Sequence, residues 1–448
     1  MTTIIELQPG KSQGDVDARI EDTTTNVARP WRPESLPAPM VVPENAGAPW
    51  VRERGSALRK LFGPLGQVSN ALTSAFAQQG VHPIYLRTVA EEAEVMDWEM
   101  LYDDGRGEFL SLTDTWPIGR LTANKSDSGR PPEPFPAALR VMAVLSASGP
   151  DSDAVPDWTH LSKAAARFAA KGLNIDLRVY TGQPELEREV KAAGGTLHPV
   201  PEKPDELAAE IRDFNPHVLH FYCHGSASAG APFLEIATSN DFREGNKQGS
   251  LILPDNHLRG ALAGSAIWLL VLNCCSGAEA AGSPSMGDSR SLARKVAEEA
   301  KVPAAIGMAT AVSPADAAEF TRSFYPGLFE YARKRLVAHD ESFIDWATML
   351  VPVRRALSLD KDPAELRTWA MPIVYALAPT FRPAFTAASA FVLRPAHLAV
   401  LERAAQAIRI FTLPDEVKRQ ALAVMLADIP KEFWPGIDGQ FSSAAIKP

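Results

Sequence analysis

Between Leu139 and Leu377 the chain alternates short, unbroken apolar runs with segments of helical period. The runs LRVMAVLSA (139–147), NIDLRVY (174–180), HVLHFY (217–222), AIWLLVLN (266–273), VPAAIGM (302–308) and WAMPIVYAL (369–377) read as strands. Helical patterns at about 158–171, 184–193, 203–213, 289–299, 314–336 and 342–357 fill the intervals. Strands without alternation, separated by helices, predict a mostly parallel sheet covered on both faces. Elsewhere the pattern changes. Residues 1–50 hold one strand-like run, IIEL, and then RPWRPESLPAPMVVPENAGAP, whose prolines disfavour helix and central strand and read as an arm. A helical pattern over 56–78 and a strand at PIYLRTV follow. The stretch EEAEVMDWEMLYDDGRGEFLSL reads as a short helix or loop leading into a hairpin, and 122–136 as a flexible connection. From about 383 to 430 the pattern is helical and Ala/Leu-rich, divided by Pro414. The expected organisation is an arm at 1–50, an N-terminal α+β part at 51–136, a core at 137–380 and a helical extension at 381–448.

Composition narrows the function classes. The 448 residues are 46% hydrophobic and 22% charged, ordinary for a globular protein. A formal net charge of −9 argues against a broad nucleic-acid surface, which needs clustered Lys and Arg to neutralise phosphates. Three cysteines, two of them adjacent, are too few and too clustered for a disulfide framework. The opening residues lack the pattern of a signal peptide, and no uncharged apolar run approaches the roughly 18 residues of a membrane span. The expected location is the cytosol, with neither membrane nor nucleic acid as partner.

Two segments carry candidate chemistry, HVLHFYCHGSASAG (217–230) and AIWLLVLNCCSGAEAAG (266–282). Each is an apolar strand that runs into glycine and small residues. The carboxyl ends of parallel strands face a crevice where ligands and reactive side chains collect. His224 and a cysteine of the adjacent pair are therefore expected at neighbouring strand ends. A cysteine on an apolar strand is ordinarily a small core residue, and Cys223 and Cys274 are read so. His220 likewise reads as a hydrogen-bonded core group. Adjacent strand residues point to opposite faces, so neither Cys223–His224 nor Cys274–Cys275 easily supplies two ligands to one ion, and no metal is predicted. Cys275 lies 51 residues after His224, and caspases place the Cys of Q-A-C-x-G about 50 residues after its His. Cys274 stays a rival, since C-x-S-G can be read from it. Cys275 is preferred, two residues beyond the strand-terminal Asn273.

The chemistry explains why these residue types belong together. A free thiol, with a pKa of about 8.5, is mostly protonated at neutral pH, and a nearby imidazole can take its proton. Acyl transfer also needs donors for the oxyanion. The main-chain N–H groups of Gly225 and Cys275 are the candidates, and no third, acidic member is evident. Such chemistry requires no cofactor. The Gly-Lys-Ser within PGKSQG (9–14) is not a phosphate loop, because the position of its first glycine is held by Ile5.

These blocks resemble the CHAT-domain proteins, a bacterial branch of the caspase–separase clan of cysteine peptidases. MDWEMLYDDGRGEFLSLTDTWPIGRL is similar to the family's P-W-E-x-L-Y-D block, with Met96-Asp97 in place of the usual Leu-Pro. HFYCHGSA resembles its His-Gly block and LVLNCCSGA its L-N-A-C block, although the residues after Cys275 depart by one from the common C-x-S/T-G. The downstream DSRSLARKVAEEAKVPAAIGMATAVSPADAAEFTRSFYPGLFEYA and the closing WAMPIVYAL also fit, so the resemblance spans roughly 50–380. It implies a caspase-like α/β/α sandwich around a mainly parallel sheet, with His224 as general base, Cys275 as nucleophile and Gly225 contributing to the oxyanion hole. It also implies a protein substrate in the same bacterial cell, often a defence effector such as a pore-forming gasdermin. Some basic-specific clan members carry an acid two positions before the cysteine; here that position is Asn273, which is expected at the wall of the substrate pocket. Glu279, Asp288 and Asp316 lie in segments that could border the crevice. Ser226–Pro232 and Gly277–Asp288, rich in small residues, are expected to move, with activity latent until an activating partner orders them. The rival reading is a caspase-fold scaffold that binds a partner and cuts nothing.

Overall fold

The computed structural model describes residues 2–10, 16–21, 50–62, 66–77, 79–123, 132–149, 152–228, 231–274, 292–309, 312–359, 362–364, 367–385, 395–410, 414–426 and 435. It comprises two units. The first holds Met1–Gly129, Ala138–Ala332 and Glu341–Arg382, and the second Arg130–Ala137, Arg333–Asp340 and Pro383–Pro448.

The first unit begins with β1 (Thr3–Pro9) and β2 (Val16–Ile20), an antiparallel pair where the sequence pattern shows only one strand. The helical pattern expected at 56–78 is two helices, α1 (Trp50–Leu61) and α2 (Gly66–Ala77). Pro64 falls between them, and a proline cannot continue an α-helix ladder. Strand β3 (Ile84–Thr88), α3 (Glu91–Glu94), a small hairpin of β4 (Tyr102–Asp103) and β5 (Glu108–Phe109), and β6 (Ile118–Leu121) complete this part.

The expected alternation follows. It runs β7 (Leu139–Leu145), α4 (Val155–Ala169), β8 (Ile175–Thr181), α5 (Pro184–Ala192), β9 (Thr196–Pro199), α6 (Pro204–Phe214) and β10 (Val218–Tyr222). A three-stranded antiparallel sheet interrupts it, formed by β11 (His224–Ser228), β12 (Ala231–Ile236) and, after α7 (Ser239–Glu244), β13 (Leu251–Pro254). The chain continues through α8 (Asp255–Leu262), β14 (Leu269–Leu272), α9 (Leu292–Glu299), β15 (Ala304–Met308) and α10 (Pro314–Leu336), whose last turn belongs to the second unit. Strand β16 (Ile344–Asp345), α11 (Trp346–Leu357), β17 (Pro372–Ala376) and β18 (Thr380–Phe381) close it, β16 pairing with β18.

Eleven strands form one sheet, in the order β2-β1-β3-β6-β17-β15-β14-β10-β7-β8-β9. Strands β7, β8, β9, β10, β14 and β15 are mutually parallel, as are β1, β3, β6 and β17. The two blocks meet at the antiparallel β15–β17 pair and therefore run in opposite directions. Only the β7–β15 block ends at the edge reached by His224. One face packs Met142, Leu219, Phe221, Leu270 and Leu272 against α6, α8 and α9 through Leu207, Ile211, Leu258 and Val296. The other face receives α4 and α10, as the pairing of His220 with Asp157 and Tyr325 shows. The first unit is an α/β/α sandwich on a mainly parallel sheet, and its central strands are buried on both faces, which is why they read as continuous apolar runs.

Two positions in this unit carry predictions. Gly182 follows β8, and its N–H donates to Ser146 Oγ (2.9 Å). A Cβ there would lie 2.4 Å from the Thr238 carbonyl carbon and 2.6 Å from Ser239 N, main-chain atoms at the start of α7. Gly182→Ala should therefore cost about 1–3 kcal/mol by overpacking, read as a lower urea midpoint. At the opposite end of β10, His217 is fully buried and its Nδ1 accepts the Arg140 N–H (2.9 Å). Burial, with the Arg140 charge second, pushes its imidazole down from 6.5 to about 3. The neutral form thus contributes stability that is present above pH 6.5 and lost as pH falls toward 3. The linkage amounts to about 2 kcal/mol between pH 7 and 5. His217→Asn, which can keep an acceptor for Arg140, should flatten that part of the pH–stability curve; an unchanged slope would discount His217 as its source.

In the second unit, Phe135 packs against His339 (5.2 Å) and Phe385 (4.8 Å), and Arg335 donates to the Pro383 carbonyl (3.0 Å). Helices α12 (Pro395–Ile410) and α13 (Asp415–Met425) follow, with Pro414 at the N-cap of α13 as the sequence suggests. Among the described residues no helix is long and apolar enough to cross a membrane.

Candidate active site

The register aligns the strand ends at one edge of the sheet. Phe221 lies opposite Leu272, Leu272 opposite Gly307, and Tyr222 opposite Leu145. The ladder continues past the strands, with Ser146 N–H donating to the Tyr222 carbonyl (2.8 Å) and Asn273 N–H to the Phe221 carbonyl (2.9 Å). The segments that leave this edge therefore emerge side by side: Ser146–Gly149 from β7, Cys223–His224 from β10, and Asn273–Cys274 from β14.

His224 begins β11 and is half-buried. Its Nε2 lies 2.6 Å from the main-chain carbonyl oxygen of Ser148. A carbonyl can only accept, so Nε2 carries the proton. In the neutral ring the basic lone pair is then on Nδ1. The contact fixes both the ring's orientation and its tautomer, the task an acidic third member performs in other arrangements. Nothing in the spacing of side chains could reveal it, because the group belongs to the main chain.

Gly225 lies opposite Leu234 in the β11–β12 ladder. The small-residue stretch expected to be a mobile loop is instead largely a hairpin, with β11 and β12 covering 224–228 and 231–236. Its far side is anchored at Thr238, which caps α7 in a capping box with Asp241. The buried Asp241 carboxylate also accepts from Ser250 N–H (2.9 Å), tying α7 to the start of β13.

The cysteines separate. Cys223 and Cys274 are 4% and 3% exposed and belong to the apolar core with Leu219, Phe221, Leu270 and Leu272. Both therefore have the packing role expected of them. Cys275, Glu279 and Asp288 lie outside the described residues, as does the stretch Gly277–Asp288. Asn273, expected at the pocket wall, points into the opposite face. It is 1% exposed, and its Nδ2 donates to the Ala317 carbonyl (2.9 Å) and Asp157 Oδ1 (3.2 Å). Asp316 sits in the first turn of α10, where its carboxylate accepts from Ser313 Oγ (2.7 Å) while its own N–H donates back to that oxygen (3.1 Å). That is a helix-start cap.

Asn273 leads to residues that sequence reasoning missed. Asp157 Oδ1 also accepts from Thr321 Oγ1 (2.5 Å), and Asp157 Oδ2 lies 3.0 Å from His220 Nε2. The second contact is close but off the N–H direction, since neither atom has an aligned hydrogen bond. His220 Nδ1 pairs with Tyr325 OH (2.7 Å). Burial, with Asp157 second, pushes the Tyr325 phenol well above 10, so it stays protonated. The Asp157 oxygen facing Nε2 favours the ring proton there, which leaves Nδ1 to accept from this hydroxyl. Among the described residues no group of three or more His, Cys, Asp and Glu could hold a metal ion.

The Trp98 block reaches the same edge. A small cleft there is lined by Asp97, Glu99 and Met100 from that block, by Ala309 after β15, and by Met371 before β17. Both acids already face arginines: Asp97 is 3.3 Å from Arg54 and Glu99 is 2.7 Å from Arg120.

Compared with known proteins, the chain matches no family model and no curated protein. Its fold is similar to two solved structures of one peptidase. The first is the Arg-specific cysteine proteinase gingipain R (RGPB), at 9% identity and a TM-score of 0.43, covering 70% of this chain and 68% of that one. The second is the complex of Porphyromonas gingivalis RgpB pro- and mature domains, at 10% identity and a TM-score of 0.43, covering 69% and 68%.

Proposed function

We propose that the chain is a cysteine endopeptidase of CHAT type whose dyad is His224 and Cys275. The observation that carries this reading is His224 at the end of β10, held by the Ser148 carbonyl through Nε2 so that Nδ1 is the basic nitrogen. The burial of Cys223 and Cys274 supports Cys275, the third of three cysteines, as the nucleophile. In the reaction the Cys275 thiol gives its proton to His224 and its sulfur attacks the scissile carbonyl. The oxyanion is met by the main-chain N–H groups of Gly225 and Cys275. His224 then protonates the departing amine, breaking the C–N bond. Water finally adds to the acyl carbon, giving its proton to His224 and releasing the thiol. The substrate is a protein in the same bacterial cell, in keeping with a defence role, and an activating partner relieves latency. Glu279, Asp288 and Asp316 remain proposed borders of the substrate crevice.

The test needs no substrate. The folded protein is alkylated with limiting iodoacetamide at pH 6, and modification of each cysteine is quantified by peptide mass spectrometry. Selective modification of Cys275 is expected. Preferential modification of Cys274 would move the nucleophile by one residue, and reaction only after unfolding would favour the partner-binding scaffold.

A further inference from the structure

We propose that Asp157 is a positioning residue that sets the two strand ends leading to His224 and Cys275, acting through His220, Asn273 and Thr321. The inference rests on the peptidase reading above. Asp157 occupies the first turn of α4 and is 1% exposed. Its carboxylate touches one side chain from each of three separate elements. His220 lies on β10, four residues before His224. Asn273 follows β14, two residues before Cys275. Thr321 lies on α10, which follows β15. The helix that bears Asp157 begins seven residues after Ser148, whose carbonyl orients His224. One buried carboxylate thus ties together the ends of β10 and β14 and helix α10, from the helix that follows the Ser146–Gly149 segment.

Stability alone does not account for it. Burying a carboxylate costs several kcal/mol, and apolar replacements of a buried polar cluster are often neutral or stabilising. What a carboxylate adds is direction, because its lone pairs accept only from fixed angles. Here Oδ1 takes the hydroxyl of Thr321 and the amide of Asn273 together, which holds the end of β14 against α10. Tyr325 donates to His220 Nδ1, leaving the Nε2 proton on the side of Asp157.

Positioning and plain electrostatics predict opposite signs. Removing a negative charge near a thiol, by itself, lowers the pH at which the thiolate forms. Losing its alignment with an imidazole raises that pH toward the value of a free thiol. The experiment is the pH profile of Cys275 alkylation by iodoacetamide in wild type, Asp157→Asn, Thr321→Val, Thr321→Ser and His224→Ala, with thermal melts to confirm folding. Asp157→Asn should slow alkylation at pH 6 by about three- to ten-fold and move the midpoint upward. Thr321→Val should do the same to a smaller degree, and Thr321→Ser, which keeps the hydroxyl, should match wild type. A midpoint in folded Asp157→Asn that stays or falls overturns the proposal. So does a Thr321→Val profile equal to that of wild type, which decides the matter if Asp157→Asn does not fold. A wild-type profile equal to that of His224→Ala removes the peptidase reading, and this inference falls with it. A wild type that differs from His224→Ala beside silent Asp157 and Thr321 variants removes this inference alone.

Discussion

Replacing His224 with alanine is expected to slow alkylation of Cys275 roughly ten-fold at pH 6 and to speed it by a similar factor at pH 10. The reversal follows from two opposing properties of a thiolate. Pairing a thiol with an imidazole lowers the pH at which it ionises. Each unit of lowering multiplies the thiolate present in mild acid about ten-fold. The same unit reduces the intrinsic nucleophilicity of that thiolate by about three-fold, since reactivity rises with basicity with a slope of roughly 0.4–0.5. The net gain is about three-fold per unit in acid. In alkali, where both proteins are fully ionised, the lower basicity leaves wild type about three-fold slower per unit. Two units, a modest effect for a paired cysteine, give the ten-fold factors. Loss of activity alone could follow from misfolding, but crossing profiles require an imidazole acting on the sulfur. Profiles that remain parallel would show that His224 has no such hold on Cys275.

Arg120→Ala should destabilise the first unit by about 3–5 kcal/mol. Arg120 lies on β6 and is 1% exposed. Its Nε and Nη2 grip Glu99 at 3.0 and 2.7 Å, and Nη1 and Nη2 also donate to the carbonyls of Glu94 (2.7 Å) and Met96 (2.8 Å). Burial works against the charged guanidinium, but Glu99, Tyr375 and Glu94 together outweigh it and hold the group protonated. Alanine would leave the buried Glu99 without its hydrogen-bonded guanidinium and two carbonyls without their donors. Lysine should recover little, because one ammonium cannot reproduce the two-pronged grip. The double change Arg120→Met with Glu99→Leu should recover only part of the loss, since it removes the charges of the pair but also takes Glu99 away from the buried Arg354. Urea titrations of the four proteins decide this. If the double variant is as unstable as Arg120→Ala, the carbonyl contacts rather than the ion pair dominate.

Arg120 also shows why part of the fold was hidden in the sequence. Strands β7, β10, β14 and β15 announce themselves because burial on both faces demands unbroken apolar runs. Strand β6, IGRL, is equally central and buried, yet its arginine interrupts so short an apolar run that the pattern marks no strand there. Glu99, with the carbonyls of Glu94 and Met96, makes that charge tolerable. The hairpin β11–β12 was missed for another reason: Gly, Ala and Ser have little strand preference of their own, and pairing with the flanking strand decides their conformation. Helix α10 was legible to its ends, because apolar residues at helical spacing run throughout and a serine cap precedes it. The site divides in the same way. His224 and the cysteine pair stand at the ends of recognisable strands. Asp157 and Thr321 meet Asn273 only after four elements have folded, across 116 and 48 positions of sequence.

The contact between His224 and Ser148 has a consequence for how this site can be probed and how it can change. The group that orients the imidazole is a peptide carbonyl, so every amino acid placed at 148 supplies it. An alanine scan will pass over the position, and other small residues can replace the buried Ser148 without loss of the contact. Only edits of the backbone path can withdraw it, such as a residue inserted or deleted between Leu145 and Ser148, or a proline that redirects the chain there. Tolerance of small residues at 148, combined with intolerance of single-residue insertions beside it, is the genetic signature of a component made of main chain.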